Sequence, residues 1–455
     1  MHRNRALKSV SVAALLLMAA TAAGDAQTQI LTDSELHKIL ADRAGPAENG
    51  VAIVVGIIGP KERRIVSSGN AGGDTVFEIG SVTKVFTALL LADMVRRGEV
   101  TLTDPVAKYL STGVPIPARN AHSITLADLA THTSGLPFMP DEGTVTRSQL
   151  AHFLARYQLP RDSGAAWEYS NIGYWLLGEA LAARGGTDYE SLLRKRILQP
   201  LKLNDTAITL SPALKARLAA GHDASLQPAP LISSVPGYAT MSAAGGIVST
   251  VNDLLSLLAV ALRYDRSPLA PAISAMIDTR RPTLQNGSEQ ALGWLMIGDG
   301  DDPLIVHDGG TFGYSSSVAW DAKMHVGVAV LSNQQADVSD IARHLLRPTI
   351  PLTKRTLVKH TEIVLDSAIL DSYAGRYEAK GKGVFVVVRD GDALTIQSPA
   401  DWGLPKLRLR PESQRDFFVS ELPLRVTFET NSSGVSGIIV YPPRGQKSVP
   451  ATRVN

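Results

Sequence analysis

A serine and a lysine stand three residues apart in the stretch "FEIGSVTKVFTALLLADMVRRGEV", which runs from Phe77 to Val100. The stretch is typical of a long helix, and residues i and i+3 lie on one face of a helix, so Lys84 can reach the Ser81 hydroxyl. An apolar pocket pushes a lysine toward its neutral form, in which the amine can accept the serine proton. The pair therefore predicts a serine nucleophile with a lysine base. The alternative is a serine that caps the helix beside a solvated lysine.

A tyrosine and an asparagine occupy the start of a second predicted helix, in "WEYSNIGYWLLGEAL". Tyr169 could relay a proton to a leaving group, and the Asn171 amide could hold a substrate carbonyl. Ser170 and Asn171 are also ordinary helix-capping residues, so a structural role stays open for this segment.

Two glycines follow a histidine at the end of a predicted strand, in "LIVHDGGTFGYSSS". Gly309 and Gly310 allow the backbone to approach a ligand closely, and an N–H at a strand end can serve an oxyanion hole. His307 has no partner at metal-ligand spacing, and none of the ten histidines lies in an H-E-x-x-H motif. A core or hydrogen-bonding role is therefore favoured for His307, and we predict neither a metal site nor a cofactor.

The strands and helices that must position these residues follow from the hydrophobic pattern. The run "GVAIVVGIIG" predicts a buried strand, and "RRIVSSGNAG" predicts its antiparallel partner. Helical spacing, closed by glycine or proline, dominates from Asp104 to about Thr240, and a further helix starts at Thr250. Strand patterns return in "ALGWLMIG", "SSVAWD" and "HVGVAVLSN", and "DVSDIARHLLR" predicts a closing helix. This order predicts an α+β fold, an antiparallel sheet flanked by helices with a helical subdomain in the middle.

The two ends of the chain differ from this central region. The N-terminus has three basic residues ahead of an apolar run and then small residues, which predicts a secretory signal peptide over residues 1–26. An uncleaved membrane anchor is the alternative, although the apolar run is short for a span. A proline-containing linker is predicted at 348–366. Short alternating strands with turn residues then predict a small all-β module, a barrel or a sandwich, over residues 367–455.

Composition argues against several functional classes. The net charge is +2 with no basic run, which argues against nucleic acid as the main partner. The chain has no cysteine, which excludes a thiolate nucleophile and a disulfide framework. The G-x-S-x-G motif does not occur, so an ordinary α/β-hydrolase is disfavoured. The sequence leaves the oligomeric state open.

The three segments, in this order and at these separations, resemble those of the penicillin-recognising serine hydrolases. The branch that they resemble contains class C β-lactamases, D-Ala-D-Ala carboxypeptidases, D-aminopeptidases and β-lactamase-like esterases. Further matches are "LTDPVAKYL" from Leu102, "THTSGLP" from Thr131 and "GGIVSTVNDL" from Gly245. The resemblance covers about residues 34–347. The segment "YAGRYE", from Tyr373 to Glu378, is similar to the lipocalin-like β domain that follows this domain in many relatives.

The resemblance implies an acyl-enzyme mechanism and a role for each candidate residue. Ser81 would attack a carbonyl carbon, while Lys84 and Tyr169 act as a coupled base and proton shuttle. The backbone N–H groups of Ser81 and Gly310 would form the oxyanion hole, worth about 2.7 to 4 kcal/mol per donor in comparable sites. Water would then hydrolyse the acyl-enzyme. The substrate-binding residues that the resemblance implies are Asn171, His307 and Gly309.

One position departs from the family pattern. β-Lactamases carry Lys-Thr-Gly where this chain has His307-Asp308-Gly309, and their middle hydroxyl helps to bind the substrate carboxylate. An inward-facing Asp308 would repel a carboxylate, or could favour a substrate with a free amino group. Alternate strand residues face opposite sides, so Asp308 could also point away from the site. The departure weakens the expectation of strong β-lactamase activity and leaves esters, D-amino-acid amides and peptides open.

We therefore expect an exported, periplasmic or secreted, serine hydrolase with its catalytic domain at 27–347 and no stable membrane insertion once the signal peptide is removed. The expected substrates are small molecules or peptides with bonds of the D-Ala-D-Ala or β-lactam-related type. A promiscuous carboxylesterase on the same scaffold is the alternative. A catalytically silent binding or sensor domain is the third possibility, which the presence of Ser81, Lys84 and Tyr169 argues against.

Overall fold

The computed structural model describes residues 31–454 except 111–113, 141–145, 236, 285–286, 299, 301, 355–359, 400–405, 420–423, 433 and 442–447. The signal peptide predicted over residues 1–26 lies outside the described residues. Twelve α-helices lie in the described part of the chain: α1 (Asp33–Ala44), α2 (Thr83–Arg96), α3 (Leu126–Ala130), α4 (Arg147–Arg156), α5 (Asn171–Gly185), α6 (Tyr189–Leu193), α7 (Pro212–Ala216), α8 (Ser242–Gly245), α9 (Val251–Ala261), α10 (Ala270–Ala275), α11 (Ser339–Leu346) and α12 (Ser367–Tyr373). The same ranges contain eighteen strands: β1 (Ile53–Ile58), β2 (Arg63–Ser68), β3 (Phe77–Glu78), β4 (Val248–Ser249), β5 (Arg281–Pro282), β6 (Ser288–Gln290), β7 (Leu295–Ile297), β8 (Leu304–Gly310), β9 (Ser315–Asp321), β10 (Val326–Ser332), β11 (Gly375–Ala379), β12 (Gly383–Asp390), β13 (Ala393–Gln397), β14 (Leu407–Pro411), β15 (Asp416–Phe418), β16 (Arg425–Asn431), β17 (Gly434–Tyr441) and β18 (Val449–Val454).

Among the described residues, the main sheet is antiparallel and has the strand order β2-β1-β10-β9-β8-β7-β6-β5. Its centre consists of apolar runs, and β1, β9 and β10 are buried along their whole length. In β1, Val55 lies opposite Val66 of β2 on one side and opposite Val330 of β10 on the other. The hairpin predicted from "GVAIVVGIIG" and "RRIVSSGNAG" is confirmed, and it pairs with a strand from the far end of the region.

Helices cover both faces of this sheet. On one face, α1 and α11 contribute Leu36 and Leu345 to a core that also contains Val55. On the other face, α2 and α9 pack against the sheet in a larger core that contains Val54 and Leu258. The predicted α+β fold, a sheet flanked by helices with a helical subdomain, is therefore confirmed.

Helix α2 carries Lys84 through the middle of the larger core. Every residue from Thr83 to Met94 is buried. A helix that is buried on all sides needs apolar side chains all round, which explains its run of alanine, leucine, valine and phenylalanine. Because Lys84 is fully buried within this stretch, partners for its ammonium group must come from neighbouring segments.

Strands β11 to β18 form a closed barrel in which each strand pairs with the next and β18 returns to β11. This resolves the choice between a barrel and a sandwich. Buried aromatic side chains fill the interior, among them Tyr377, Phe385, Phe417 and Phe428. Tyr373 at the end of α12 stacks on Phe428 with the ring centroids 4.0 Å apart. The barrel interior is thus a packed core, as in other small barrels.

The segment before the barrel contacts both parts of the chain. His360 stacks on Phe418 of β15 with the ring centroids 4.8 Å apart, and its carbonyl oxygen accepts a hydrogen bond from Gln227 Nε2 at 3.3 Å. On the sheet side, the Thr353 N–H donates to the Asp340 carboxylate of α11 at 2.7 Å. Within the described residues, no helix combines the length and the apolar character that crossing a membrane requires.

Candidate active site

A short 3-10 turn places Ser81 between β3 and α2. Gly80 in this turn has a φ of 46°, and a Cβ there would lie 2.7 Å from the nitrogen and 2.6 Å from the carbonyl oxygen of Gly310. Glycine is therefore required for the turn to approach the end of β8 this closely. The Ser316 hydroxyl stabilises the same turn by donating a hydrogen bond to the Ile79 carbonyl oxygen at 2.8 Å. The Ser81 side chain caps neither the turn nor α2, so the helix-capping alternative is wrong.

The Lys84 Nζ atom lies among three oxygen atoms from three different segments. It is 3.0 Å from Ser81 Oγ, 2.8 Å from Asn171 Oδ1 and 2.7 Å from the Ala244 carbonyl oxygen. The side chain is 0% exposed, and burial lowers its pKa well below the ordinary value of a lysine. The predicted proximity of Lys84 to the Ser81 hydroxyl is present in the structure.

The hydrogen-bond partners of Lys84 suit a neutral amine. A neutral amine has two N–H groups, which can donate to Asn171 Oδ1 and to the Ala244 carbonyl oxygen, because neither oxygen can donate in return. The nitrogen lone pair is then directed at the remaining neighbour, Ser81 Oγ, whose O–H can donate to it. In this state Lys84 is placed to remove the Ser81 proton.

The Tyr169 side chain reaches the same hydroxyl from a different segment. It lies close enough to the Ser81 hydroxyl to interact with it, and its ring centroid lies 4.8 Å from Lys84 Nζ. Burial raises the pKa of Tyr169, the negative charge of Asp308 adds to this effect, and the Ser81 hydroxyl opposes it. Tyr169 is therefore a protonated phenol that can give a proton to a leaving group and recover it through Ser81 or Lys84.

At the start of α5, Ser170 caps the helix and Asn171 faces the site. Ser170 is the N-cap residue, because its Oγ accepts a hydrogen bond from the Gly173 N–H at 2.9 Å. Asn171 is left to face the site, where its Oδ1 accepts from Lys84. The Nδ2 end of the amide is not used by Lys84 and can donate to a substrate carbonyl.

The register between β8 and β9 sets the direction of the Gly310 N–H. The Thr311 N–H donates to the Tyr314 carbonyl oxygen at 3.0 Å, so these two residues form a hydrogen-bonded pair. Hydrogen-bonded and non-hydrogen-bonded pairs alternate along an antiparallel ladder, which places Gly310 in the next, non-hydrogen-bonded pair. Its N–H therefore points away from β9, on the side where Gly80 and the Ser81 turn lie against the Gly310 nitrogen. The N–H groups of Ser81 and Gly310 can together hold an oxyanion there.

His307 enters the site from β8 as a neutral imidazole. Its Nδ1–H donates to the Asp308 carbonyl oxygen at 2.8 Å, which leaves Nε2 as an acceptor. Burial and the nearby Lys84 lower the pKa of His307 to about 3. The neighbouring Gly309 admits no larger residue, since a Cβ there would lie 2.1 Å from the Ile79 carbonyl oxygen.

The Asp308 side chain faces the opposite side of the sheet from His307. Its carboxylate accepts a hydrogen bond from the Ser317 hydroxyl at 2.7 Å and forms an ion pair with Arg343 of α11. The orientation that the sequence left open is therefore the outward one. Asp308 acts on the site through its charge, which contributes to the raised pKa of Tyr169, rather than by contact with a substrate.

Two buried ionisable residues next to the site were not singled out by the sequence analysis. His132, in the "THTSGLP" match, stacks on Tyr169 with the ring centroids 4.2 Å apart. Glu78 precedes Ser81 by three residues, and its Oε1 accepts a hydrogen bond from the Ile232 N–H at 2.7 Å. Within the described residues, no group of three or more histidine, cysteine, aspartate or glutamate side chains could hold a metal ion.

Two family models match the chain. One is described as "Beta-lactamase" and matches residues 41–347. The other, a domain of unknown function (DUF3471), matches residues 359–449, which include most of the barrel strands.

Curated proteins and solved structures give matches of the same kind. The D-alanyl-D-alanine-carboxypeptidase/endopeptidase AmpH of Escherichia coli (strain K12) is 28% identical over 353 residues, covering 70% of this chain and 89% of that protein. A beta-lactamase of the same strain is 30% identical over 305 residues, covering 57% of this chain and 76% of that protein. A class C beta lactamase from Rhodobacter sphaeroides has a TM-score of 0.59 at 22% identity and covers 70% of this chain and 99% of that one. An octameric penicillin-binding protein homologue from Pyrococcus abyssi has a TM-score of 0.60 at 22% identity and covers 93% of this chain and 100% of that one, and both structural likenesses concern the fold.

Proposed function

The chain belongs to the beta-lactamase family, whose model matches most of its length, and from this premise we propose that it is a serine hydrolase acting through an acyl-enzyme on Ser81. The bonds that we propose it cleaves are amide or peptide bonds of the D-alanyl-D-alanine type, related to those of β-lactams. This substrate class follows the printed names of its relatives, a carboxypeptidase/endopeptidase and a beta-lactamase.

The observation that carries the proposal is the position of Lys84 Nζ. It lies 3.0 Å from Ser81 Oγ in a fully buried setting, and Tyr169 lies close enough to interact with the same hydroxyl. A serine hydroxyl becomes a useful nucleophile only when an adjacent base can take its proton. The buried amine supplies such a base, and the phenol supplies a second group that can pass the proton on.

The proposed reaction begins with attack of Ser81 Oγ on the substrate carbonyl carbon, while its proton moves to the coupled pair of Lys84 and Tyr169. The N–H groups of Ser81 and Gly310 stabilise the oxyanion that forms, at about 2.7 to 4 kcal/mol per donor in comparable sites. Tyr169 then protonates the leaving group as the bond to it breaks. Water, deprotonated by the same pair, attacks the acyl-enzyme and restores Ser81.

The remaining site residues would bind the substrate. Asn171 donates from Nδ2 to a carbonyl of the substrate, and Gly309 lets the substrate backbone approach β8. His307 offers Nε2 as an acceptor, because its Nδ1–H is committed to the Asp308 carbonyl oxygen. A substrate N–H or O–H group is therefore the partner that fits His307 best.

A promiscuous carboxylesterase activity is the second candidate function, and the charge of the site favours it. His307 stands where β-lactamases carry a lysine, and it is neutral at physiological pH. The nearby cation Arg343 is paired with Asp308 on the other side of the sheet. A substrate carboxylate would gain little from these groups, whereas an uncharged ester needs no cation.

The proposed boundaries and location follow the sequence. We propose a signal peptide at 1–26, a catalytic domain at 27–347, a linker at 348–366 and a barrel domain at 367–455. Removal of the signal peptide would release the enzyme into the periplasm or the medium. Its substrates would be small molecules or peptides, including cell-wall peptides, rather than nucleic acid.

A substrate panel on the purified mature chain tests these proposals. Nitrocefin, a peptide ending in D-Ala-D-Ala and p-nitrophenyl butyrate are compared for turnover, with Ser81→Ala as the control. We expect a fluorophosphonate or a fluorescent penicillin to label the parent on Ser81 and to leave the variant unlabelled. Turnover of the peptide ahead of the ester supports the peptidase, and the reverse supports the esterase. A parent chain that is neither labelled nor active would support the silent binding domain instead.

A further inference from the structure

We propose that His132 is the positioning residue for Tyr169: it holds the segment 168–170 at three points and keeps the phenol against the Ser81 hydroxyl. The inference rests on the proposed function, because Tyr169 needs precise placement only if it moves protons. His132 touches neither the substrate nor Ser81 in this role. It acts through Tyr169.

Three contacts join His132 to the residues on either side of Tyr169 and to its ring. The Glu168 N–H donates to the His132 carbonyl oxygen at 2.7 Å, and the Ser170 N–H donates to His132 Nδ1 at 3.0 Å. Between these two hydrogen bonds, the imidazole ring stacks on the Tyr169 ring at a centroid distance of 4.2 Å and an interplanar angle of 29°. The phenol is therefore fixed at the backbone before it, at the backbone after it and across its face.

The backbone conformation at His132 is one that normally favours glycine, which indicates that the histidine side chain has a function there. Helix α3 ends in a Schellman turn, because the Thr133 N–H donates to the Asp128 carbonyl oxygen at 2.8 Å and the His132 N–H to that of Leu129 at 3.4 Å. His132 occupies the left-handed position of this turn, with a φ of 58°. Glycine is the usual residue there, since a Cβ is unfavourable. A histidine at this position brings a ring to Tyr169 at the expense of backbone strain.

The charge state of His132 also suits this role. Because Nδ1 accepts from the Ser170 N–H, the ring proton sits on Nε2, which has no partner among the described atoms. Burial lowers the pKa of His132 well below its ordinary value, and the nearby Lys84 and His307 add to the effect. The groups that face the ring from other elements are Lys84 of α2, His307 of β8 and Tyr174 of α5, besides Tyr169 itself. His132 therefore supports the phenol as a neutral ring.

A histidine that merely filled the core would behave differently. It is 0% exposed, and a buried N–H without a partner destabilises the fold, so an apolar side chain of similar size would fill this space at lower cost. Replacing His132 by glycine should relieve the backbone strain and remove the unpaired Nε2–H, but it should also leave a cavity and an unpaired Ser170 N–H while it removes the support of Tyr169. A core role predicts lower stability with the parental acylation rate per titrated site, whereas the positioning role predicts a lower rate per titrated site as well.

The test compares His132→Gly and His132→Asn with His325→Gly. His325 is a matched control, since it is an exposed histidine that also has a left-handed backbone, with a φ of 54°. The readouts are the melting temperature, the fraction of Ser81 titrated by a fluorophosphonate, the rate of Ser81 acylation per titrated site and its pH profile. An asparagine keeps an acceptor for the Ser170 N–H and tolerates the left-handed region, but it lacks the ring.

We expect His132→Gly to melt below the parental temperature, because it leaves a cavity, and to acylate Ser81 about tenfold to a hundredfold more slowly per titrated site, as a misplaced catalytic group does. The alkaline limb of its pH profile should also move, because Tyr169 loses its buried stack. His132→Asn should recover part of the rate, and His325→Gly should match the parent. A folded His132→Gly with the parental rate and profile would overturn the inference, and if that variant does not fold, the same comparison is made with His132→Asn. A parent chain that neither reacts at Ser81 nor hydrolyses the panel would contradict the proposed function instead.

Discussion

The α+β region and the barrel bury different kinds of side chain. In the α+β region, Lys84, His132 and Glu78 are at most 2% exposed, and each has a pKa displaced by burial. In the barrel, apart from its tyrosines, the buried polar side chains among the described residues are those of Thr395 and Ser398. The hydroxyl groups of the two buried tyrosines have hydrogen-bond partners within this region: Tyr377 donates to the Tyr373 carbonyl oxygen at 2.7 Å, and Tyr373 donates to the Gln414 carbonyl oxygen at 2.9 Å.

This difference indicates that the two regions have different roles. A buried ionisable group destabilises a fold unless it is well paired, so a region that keeps several of them gains something other than stability. A core of stacked and interlocking aromatic rings, such as that of Tyr373, Phe417 and Phe428, contributes stability through area and packing. The buried ionisable groups therefore lie in the α+β region, whereas the barrel core is almost wholly apolar, and each part can be disturbed separately.

The largest expected effect comes from replacing the buried amine of Lys84. Lys84→Met keeps a side chain of similar length and removes the base, so kcat/KM should fall about a thousandfold on any substrate of the parent. Stability should change by less than about 2 kcal/mol, because the lost hydrogen bonds and the removed burial of a polar amine oppose each other. Steady-state kinetics and urea unfolding at pH 7.5 measure the two quantities. A variant that is strongly destabilised yet active would reverse the assignment of roles.

The opposite pattern is expected for the barrel. Phe428→Ala removes a ring that stacks on Tyr373 and should lower the free energy of unfolding of the barrel by about 3 to 5 kcal/mol. The turnover per fluorophosphonate-titrated site at 25 °C should equal that of the parent. Val388→Ala, at an exposed position of β12, is the control and should change stability by about 0.5 kcal/mol or less. A lower turnover per titrated site in Phe428→Ala would show that the barrel supports the active site.

Much of the fold can be predicted from the sequence because its main elements are long and regular in pattern. The apolar run of β1 and the helical spacing of α5 and α9 are present where the pattern placed them. The two-residue ladder of β3 and β4 was not predicted, since two residues carry no periodicity. This ladder nevertheless sets the turn that presents Ser81.

The site residues also fall into those that the sequence identifies and those that it does not. Ser81, Lys84, Tyr169 and Asn171 can be found from residue type and spacing, and the structure brings them together. His132 was missed because its importance depends on a left-handed backbone and on stacking against a remote segment. A signal was available, because a histidine follows the predicted helix in "LADLATHTSG" at the point where glycine is usual.

A smaller effect is expected at Glu78 and depends on pH. Burial raises the pKa of Glu78 from 4.5 to about 6, against the opposing influences of the Thr311 hydroxyl and the Ile232 N–H. Although Thr311 is close enough to act on the pKa, Oε2 of Glu78 and Oγ1 of Thr311 both lack a partner within hydrogen-bonding geometry. Between these two pH values the unfolded chain loses its proton first, so stability falls as pH rises through this window. At about 1.4 kcal/mol per pH unit, the loss is about 2 kcal/mol.

Glu78→Gln should remove this pH dependence. The free energy of unfolding of the parent minus that of the variant should fall by about 2 kcal/mol between pH 4 and pH 7.5. Urea unfolding at both pH values measures the difference, and other titrating groups cancel in the subtraction. A difference that stays constant across the range would mean that the pKa of Glu78 is the same in the native protein and in the unfolded chain. In that case, the burial of Glu78 would not reduce the stability of the protein, in contrast to what we infer for Lys84 and His132.

The smallest expected effect distinguishes the two faces of β8. Asp308→Asn removes a charge that pairs with Arg343 on the outer face, where both side chains are partly exposed, so the loss of stability should be about 1 kcal/mol or less. Because Asp308 does not face the substrate, kcat/KM for the ester and for the D-Ala-D-Ala peptide should each stay within about threefold of the parent. Asp302→Asn is the matched control, since Asp302 forms a similarly exposed ion pair with Arg347. A gain above tenfold that is confined to the carboxylate-bearing peptide would mean that the Asp308 charge repels a bound substrate carboxylate, and the outer face of β8 would then take part in substrate selection.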